Sequence, residues 1–579
     1  GMSVFNHKKN EHDVERNSLV IESLRMVKLL QPLFFVFENV PAFMDTECVI
    51  ENEERTSIRE AHHRILGGDY LFYDDIINFK LYGSKSSRTR TLVIGVNKKI
   101  ARYVSPVELF PDREAESTLQ EVIGHLPALT RMGEISHDDI FHAFRAYPEY
   151  MLPWIEGLAE GKSAFDNEDE DKRPYKIGKD GTRIPNVNKT GDKYTRQCWD
   201  RVAPSVHTRN DQLASQNTIH PRDNRVFSIR ELMLMMTIPD AFKWTNTDIT
   251  TLNRRNEEEK RAFLKKEETN IRQCIGEAVP TRIFEKIAKN IQGFVCSRHI
   301  ADQQIRNLIK TEELQETEKL LAYINQCIQI TDDGQRIQQI NNATLSRVAE
   351  LANTARVDNA AYYTEKGTLT YVFEHLPFIE ADTIRILEPS VGTGNFIPFL
   401  VKKYSYAKEL IIDVIDIDED ALKIAAQLWD AHVFPNNVKI NIIPGDYLEH
   451  KFNNVHYHLI IGNPPYIKMH SSKVLDKYRR EYDDTYANNM AAFFMEKSCK
   501  YADYVAFVLP KNFFCNIEYQ ECRQKIRRKR IEAIVDFGEQ GFRGINIETM
   551  FILINTMRKG GKVKVNSVPR GIRKIQHQK

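Results

Sequence analysis

Apolar residues recur at helical spacing through Leu19, Val20, Leu24, Val27 and Leu30, and predict a helix beginning near Arg16–Asn17. The run from Leu33 to Phe37 is apolar without a break. It stops at Glu38 and predicts a buried strand over Leu33–Glu38. Thr91-Leu-Val-Ile-Gly-Val96 predicts another over Arg90–Val96. Phe165 to Gly191 is polar, carries an acidic run at Asp166–Asp171, and reads as a long loop or insertion. Ile305, Leu308, Ile309, Leu314, Leu320, Leu321 and Ile324 return to helical spacing and predict a helical linker. From about residue 355 the texture changes. Strands are predicted at Ile384–Leu387, Leu410–Ile417, Val438–Ile443, His458–Gly462, Tyr504–Leu509 and Ile531–Phe537, with Met550–Asn555 closing the series. Helices at Asn395–Lys403 and Asp420–His432 alternate with them. This alternation predicts an α/β fold whose parallel sheet is covered on both faces.

Composition narrows the class. At roughly 150 residues per domain, 579 residues imply three to four domains. With 42% hydrophobic and 28% charged residues the chain is neither disordered nor fibrous. The apolar stretch Pro32–Val40 is broken by Glu38 and Asn39, so no run reaches the roughly 18–20 residues of a membrane helix. The start lacks a signal-peptide pattern, and Gly1 before Met2 reads as a tag remnant. Eight cysteines with no CxxC predict a reducing, cytoplasmic setting and no zinc ribbon. Net charge is +1, so any nucleic-acid surface must be local. Two basic runs stand out, Arg523–Arg530 and Arg558–Lys574. Each reads as a solvated face or a phosphate contact.

The chemistry concentrates at strand ends. The first C-terminal strand runs into Glu388-Pro-Ser-Val-Gly392-Thr-Gly394-Asn395, a strand, glycine turn and helix of the nucleotide-cofactor kind. It has neither the third glycine of a dinucleotide fingerprint nor the lysine of a P-loop. The second strand ends in Asp416-Ile-Asp418, where a carboxylate can accept both hydroxyls of a ribose. The third ends in Gly445-Asp446-Tyr447, an acceptor placed for an adenine amino group. The fourth ends in Asn463-Pro464-Pro465-Tyr466. Two prolines fix φ and remove two N–H donors, so the Asn463 side chain and the Pro464 carbonyl can converge as acceptors on one exocyclic NH₂. Tyr466 offers a face for a planar base.

These residues, in this order, resemble the γ class of N6-adenine DNA methyltransferases. Tyr362-Tyr363-Thr364 precedes the glycine loop, Val508-Leu-Pro-Lys511 follows the Asn-Pro-Pro-Tyr motif, and Gly541-Phe542 to Thr549-Met-Phe-Ile-Leu comes last. The resemblance covers about 355–560. It implies a Rossmann-like, S-adenosylmethionine-dependent methyltransferase sheet. It further implies cofactor contacts from Tyr363, Thr364, Glu388, Gly392, Gly394, Asp416 and Asp446. A flipped adenine would be held by Asn463, Pro464, Pro465 and Tyr466, with Phe542 packed on it. Neither a metal nor a cysteine nucleophile is implied. The family's usual target-recognition domain after these motifs has no counterpart here.

The N-terminal half carries a second series. Glu38-Asn-Val-Pro41, Arg88-Thr-Arg90, Asn217-Thr-Ile-His220-Pro-Arg-Asp-Asn-Arg225, Ser228-Ile-Arg230-Glu231 and Ile275-Gly276-Glu277-Ala-Val279-Pro280 resemble the later motifs of 5-methylcytosine DNA methyltransferases. That family implies that Glu38 and Arg90 contact a target cytosine. Its F-x-G-x-G cofactor loop and Pro-Cys-Gln nucleophile have no counterpart upstream of Glu38, and no cysteine follows a proline. The expectation is a half that begins just after the nucleophile, with no thiolate for attack on cytosine C6 and an apolar edge on the strand ending at Glu38. A separate subunit supplies the missing part, or the gene start is misplaced, or the half persists for DNA binding.

The implied organisation has five parts. Residues 1–100 form an incomplete cytosine-methyltransferase α/β part, 101–215 a target-recognition-like region and 216–296 the later cytosine-type motifs. Residues 297–350 form the linker and 351–579 the adenine-type catalytic domain. The pairing resembles modification enzymes of bacterial type IIS restriction systems, and the implied partner is double-stranded DNA. Two other readings stay open: a non-catalytic DNA-binding subunit or fragment, and an Asn-Pro-Pro-Tyr methyltransferase acting on a protein glutamine or on RNA.

Overall fold

The structure is a computed structural model. It describes every residue except 1–16, 51–53, 188–190, 331–335, 354–363, 431, 433, 454, 471, 540, 542–546, 569–571 and 578–579. The chain divides into two compact units, one of residues 1–75, 92–110 and 289–579, the other of residues 76–91 and 111–288. These divisions differ from the boundaries read from sequence at 100, 215 and 296, because residues 92–110 are packed with the C-terminal half.

In the first unit, helix α1 (Leu19–Leu30) leads into strand β1 (Phe34–Asn39), as the apolar pattern predicts. With β2 (Tyr70–Asn78) and β3 (Thr89–Asn97) it forms a three-stranded sheet in the order β1-β3-β2. β1 is an edge strand, and Leu19, Met26, Leu29, Leu30 and Leu33 beside it are exposed. The short helix α2 (Pro106–Leu109) follows. Ser105 caps it and Glu108 completes a capping box.

Residues 302–352 are not a free linker. Helices α3 (Asp302–Thr311), α4 (Thr317–Cys327) and α5 (Asn342–Ala352) bury Ile305, Ile309, Leu320, Ile324, Leu345 and Val348 in one core. That core includes Ile424 and Leu428 of a helix that covers the large sheet described next. Their apolar stripes have a partner, so they pack rather than span.

Helix α6 (Lys366–His375) opens the large sheet. The remaining elements are β4 (Thr383–Glu388), α7 (Ile397–Tyr404), β5 (Glu409–Asp416), α8 (Glu419–Trp429), β6 (Val438–Pro444), β7 (Tyr457–Gly462), α9 (Lys473–Tyr482), α10 (Met490–Tyr501), β8 (Ala502–Pro510), α11 (Gln520–Arg527), β9 (Arg530–Gly538), β10 (Thr549–Asn555), β11 (Lys562–Ser567) and β12 (Ile572–His577). The nine strands lie in the order β6-β5-β4-β7-β8-β10-β9-β11-β12. The first five are parallel, and their near-continuous apolar runs follow from burial on both faces. The prediction of a wholly parallel sheet fails beyond β8: β10 runs antiparallel between β8 and β9, β11 is parallel to β9, and β12 is antiparallel to β11. Met550–Asn555 does not close the series, since two further strands follow it.

β9 and β8 point the same way, because both run against β10. Residues 527–530, at the start of β9, therefore lie at the end of the sheet opposite Pro510, the end of β8. Arg523 donates to the Phe513 and Asn516 carbonyls at 2.7 Å each, so it holds the loop after β8 in place.

In the second unit, the cytosine-type motif residues hold the core together. Arg225 and Glu231 are buried and joined by two hydrogen bonds of 2.8 Å. Arg196 donates to the carbonyls of Ile155 and His220 at 2.7 and 2.9 Å. Burial drives the His220 imidazole down to about 4, so it is neutral at pH 7. The segment 165–191 is mostly irregular, with one small hairpin pairing Tyr175–Ile177 with Arg183–Pro185.

Candidate functional site

The order of strands reverses between β4 and β7, and a cleft opens at their carboxyl ends. This is the position where open α/β sheets bind ligands. Its walls include Glu388, Gly392, Asp416, Asp446, Asn463 and Pro465. Four strand ends that are distant in sequence thus meet in one place.

The glycine turn is built by necessity. Gly392 and Gly394 have φ of +53° and +69°. A Cβ on Gly394 would stand 2.3 Å from the Trp429 ring, whose Nε1 donates to the Gly394 carbonyl at 3.1 Å. Asp416 fixes the turn from the next strand: its carboxylate accepts from the Gly392 N–H at 2.9 Å and the Asp418 N–H at 3.0 Å. Burial raises the Asp416 carboxyl, and these two donors oppose the rise. Glu388 is 1% exposed. Burial first, then the charge of Asp416, pushes it well above the usual carboxylate range. Its Oε2, the Thr393 hydroxyl and the Thr364 hydroxyl are buried without a hydrogen-bond partner.

At the third strand end, Asp446 accepts from the Leu448 N–H at 2.8 Å. Lys497, buried on α10, donates to the carbonyls of Tyr447, Leu448 and His450 at 2.6, 3.0 and 2.7 Å and so fixes this loop. Burial lowers its ammonium to about 8. At the fourth, Ser390 donates to the Asn463 carbonyl at 3.0 Å. The Tyr466 hydroxyl lies 2.5 Å from Asn463 Oδ1 and 2.9 Å from the Val508 carbonyl. Pro464 is buried, and Pro465 lines the cleft.

Glu38, at the end of β1, and Arg90, at the start of β3, fall in different units and are not among the residues of this cleft. Tyr363 and Phe542 lie outside the described residues. Sequence reasoning missed Lys497, Ser390, Ile417 and Asn395. Ile417 had a readable signal: an apolar residue between two acids at a strand end, 68% exposed in the cleft wall. Lys497 had none, because its three partners are backbone carbonyls.

Residues 1–293 match the C-5 cytosine-specific DNA methylases. The chain belongs to this family. A second match, over residues 401–542, is to the Eco57I restriction-modification methylases. The type II methyltransferase M1.HgaI of Avibacterium volantium is 29% identical over 304 residues, covering 50% of this chain and 75% of the relative. The tRNA1(Val) (adenine(37)-N6)-methyltransferase of Tolumonas auensis is 35% identical over 96 residues, covering 17% of this chain and 38% of that protein. Among solved structures, the methyltransferase subunit of the Streptococcus thermophilus type I restriction-modification system is matched at a TM-score of 0.30 and 14% identity, over 54% of this chain and 74% of that one. This C-5 methylase-family chain is therefore a restriction-modification DNA methyltransferase with the mixed α/β fold of S-adenosylmethionine-dependent enzymes. The cleft fits that cofactor: its buried, unpartnered carboxyl and hydroxyl groups suit a ligand that brings both cationic centres and hydroxyls. Among the described residues, no helix is long and apolar enough to cross a membrane.

Proposed function

We propose that the C-terminal half transfers a methyl group from S-adenosylmethionine to the N6 atom of adenine in double-stranded DNA. The observation that carries this reading is the convergence of Asn463, Pro465 and the Asp416–Glu388 cofactor residues on one cleft at the sheet's switch point. When bound, the cofactor supplies an electrophilic methyl group. Asp416 accepts the ribose hydroxyls and Asp446 the adenine ring's amino group. Glu388, Gly392, Gly394 and Thr364 hold the amino-acid end. Asn463 Oδ1 and the Pro464 carbonyl accept from the target N6 amino group, orienting its lone pair toward the methyl group. Tyr466 and Phe542 enclose the flipped base.

The N-terminal half serves DNA recognition in this proposal, with 101–215 as its target-recognition region and Glu38 and Arg90 as base contacts. Within these 579 residues no cysteine follows a proline, so the proposal assigns them no cytosine C5 transfer. The proposed setting is the bacterial cytoplasm.

The test is methyl transfer from labelled S-adenosylmethionine to duplex DNA by the parent chain and an Asn463→Ala variant. The proposal expects transfer to fall at least a hundredfold in the variant while cofactor affinity changes less than threefold, since only the acceptor's partner is lost. Normal turnover by the variant would overturn it. Transfer to tRNA and not to DNA would replace the substrate.

A further inference from the structure

Segment 105–109 of the N-terminal half is built into the cofactor side of the C-terminal sheet. Ser105 Oγ lies 2.7 Å from the Thr370 hydroxyl of α6. The Glu108 carboxylate has both oxygens engaged: Oε2 accepts from the Ser105 N–H at 2.9 Å, and Oε1 accepts from the ammonium of Lys366, the first residue of α6. Lys366 is 7% exposed and Glu108 is partly buried, so the ammonium is the buried member of the pair. The Glu108 backbone carbonyl accepts from Lys402 of α7 at 2.8 Å. One residue therefore ties the start of α6 to the last turn of α7, two helices that run from different arms of the cleft. α6 follows directly from Thr364, and α7 follows directly from the glycine turn.

The two arms also meet at the cleft. Asn395 Nδ2 donates to the Thr364 carbonyl at 3.3 Å, and the Thr364 hydroxyl is buried in the wall without a partner. Lys366 is anchored only two residues beyond Thr364. Its ammonium has Glu108 on one side and the Phe399 ring of α7 on the other, 5.7 Å to the centroid. Loss of the Glu108 charge would leave a buried cation unpaired and free α6 to shift relative to α7.

We propose that Glu108 is a positioning residue for the adenine-type cofactor site: through Lys366 and Lys402 it sets the distance between Thr364 and the glycine turn. The cytosine-type half thereby becomes a working part of its neighbour's cofactor site, independent of any cytosine chemistry. This inference rests on the reading of the cleft as the cofactor site, with Thr364 at the amino-acid end.

The experiment is calorimetric titration of the full chain with S-adenosylmethionine and, separately, with 5′-methylthioadenosine, which lacks the amino-acid end. Parent, Glu108→Gln, Lys366→Met, the double variant and Asp416→Ala are compared. Each single clamp variant is expected to weaken S-adenosylmethionine about tenfold, the scale of one hydrogen bond to a charged group. Methylthioadenosine affinity should stay within twofold of the parent. The double variant should be no weaker than the worse single, because both act through one contact. A merely structural role would weaken both ligands alike or neither, and either result overturns the clamp. An Asp416→Ala chain that binds both ligands like the parent would overturn the cleft reading instead.

Discussion

Replacing Tyr466 by Phe isolates one atom at the centre of the proposed site. The phenol hydrogen has two acceptors in reach, Asn463 Oδ1 at 2.5 Å and the Val508 carbonyl at 2.9 Å. The Phe variant keeps the aromatic face and the two prolines. What it loses is the hydroxyl that anchors the Asn463 side chain. Donation to Oδ1 ties that side chain to the end of β8 through a group that also lies against the Val508 carbonyl. A neutral hydrogen bond of this kind is worth about 0.5–1.5 kcal/mol. That is the bias toward the productive orientation that disappears. On a barrier where about 1.4 kcal/mol is tenfold, the methyl-transfer rate should fall between about twofold and twelvefold. Cofactor affinity should not change, since Asp416, Glu388 and the glycine turn are untouched. Single-turnover transfer to duplex DNA measures the first quantity, and calorimetric titration the second. An unchanged transfer rate would refute the orienting role of the hydroxyl. An equal loss in cofactor affinity would show that Tyr466 acts on the cleft as a whole.

Other consequences follow from the same geometry. Gly394→Ala would drive a Cβ against Trp429 at a φ of +69°, where an L side chain costs about 1–2 kcal/mol; calorimetry should show at least a tenfold loss of cofactor affinity. Glu231→Gln breaks the buried pair with Arg225 and should destabilise the second unit by about 3–5 kcal/mol in urea unfolding, leaving cofactor affinity unchanged. His62 and His220 both titrate near 4 in the fold because they are buried, against 6.5 when exposed. Their folded forms bind fewer protons, so their contribution is complete above pH 6.5 and is lost as pH falls toward 4, roughly 2 kcal/mol each by pH 5. Melting temperature should therefore drop between pH 7.5 and 5, and a rise would contradict the assignment.

The strands flanking the cleft were legible because burial on both faces leaves β4, β5, β7 and β8 almost purely apolar. The strand-end chemistry was legible for a related reason: a polar residue ending such a run has nowhere to point but the carboxyl edge. The last two strands were not. Lys562-Val-Lys-Val reads as a basic tail, yet it is a period-two strand paired on both sides, with Val563 buried and Lys562 and Lys564 exposed. The helices of 302–352 were legible as helices but not as packed ones, since an apolar stripe does not name the surface it covers. The Glu108–Lys366 pair joins residues 258 positions apart, and no local pattern announces it.

The central claim is adenine N6 transfer by the C-terminal half. The most direct measurement is to incubate the chain with duplex DNA and S-adenosylmethionine carrying a heavy-isotope methyl group, digest the DNA to nucleosides and weigh them. The account predicts heavy N6-methyl-2′-deoxyadenosine, abolished by Asn463→Ala, with no heavy 5-methyl-2′-deoxycytidine. Heavy 5-methyl-2′-deoxycytidine from this chain alone would contradict it.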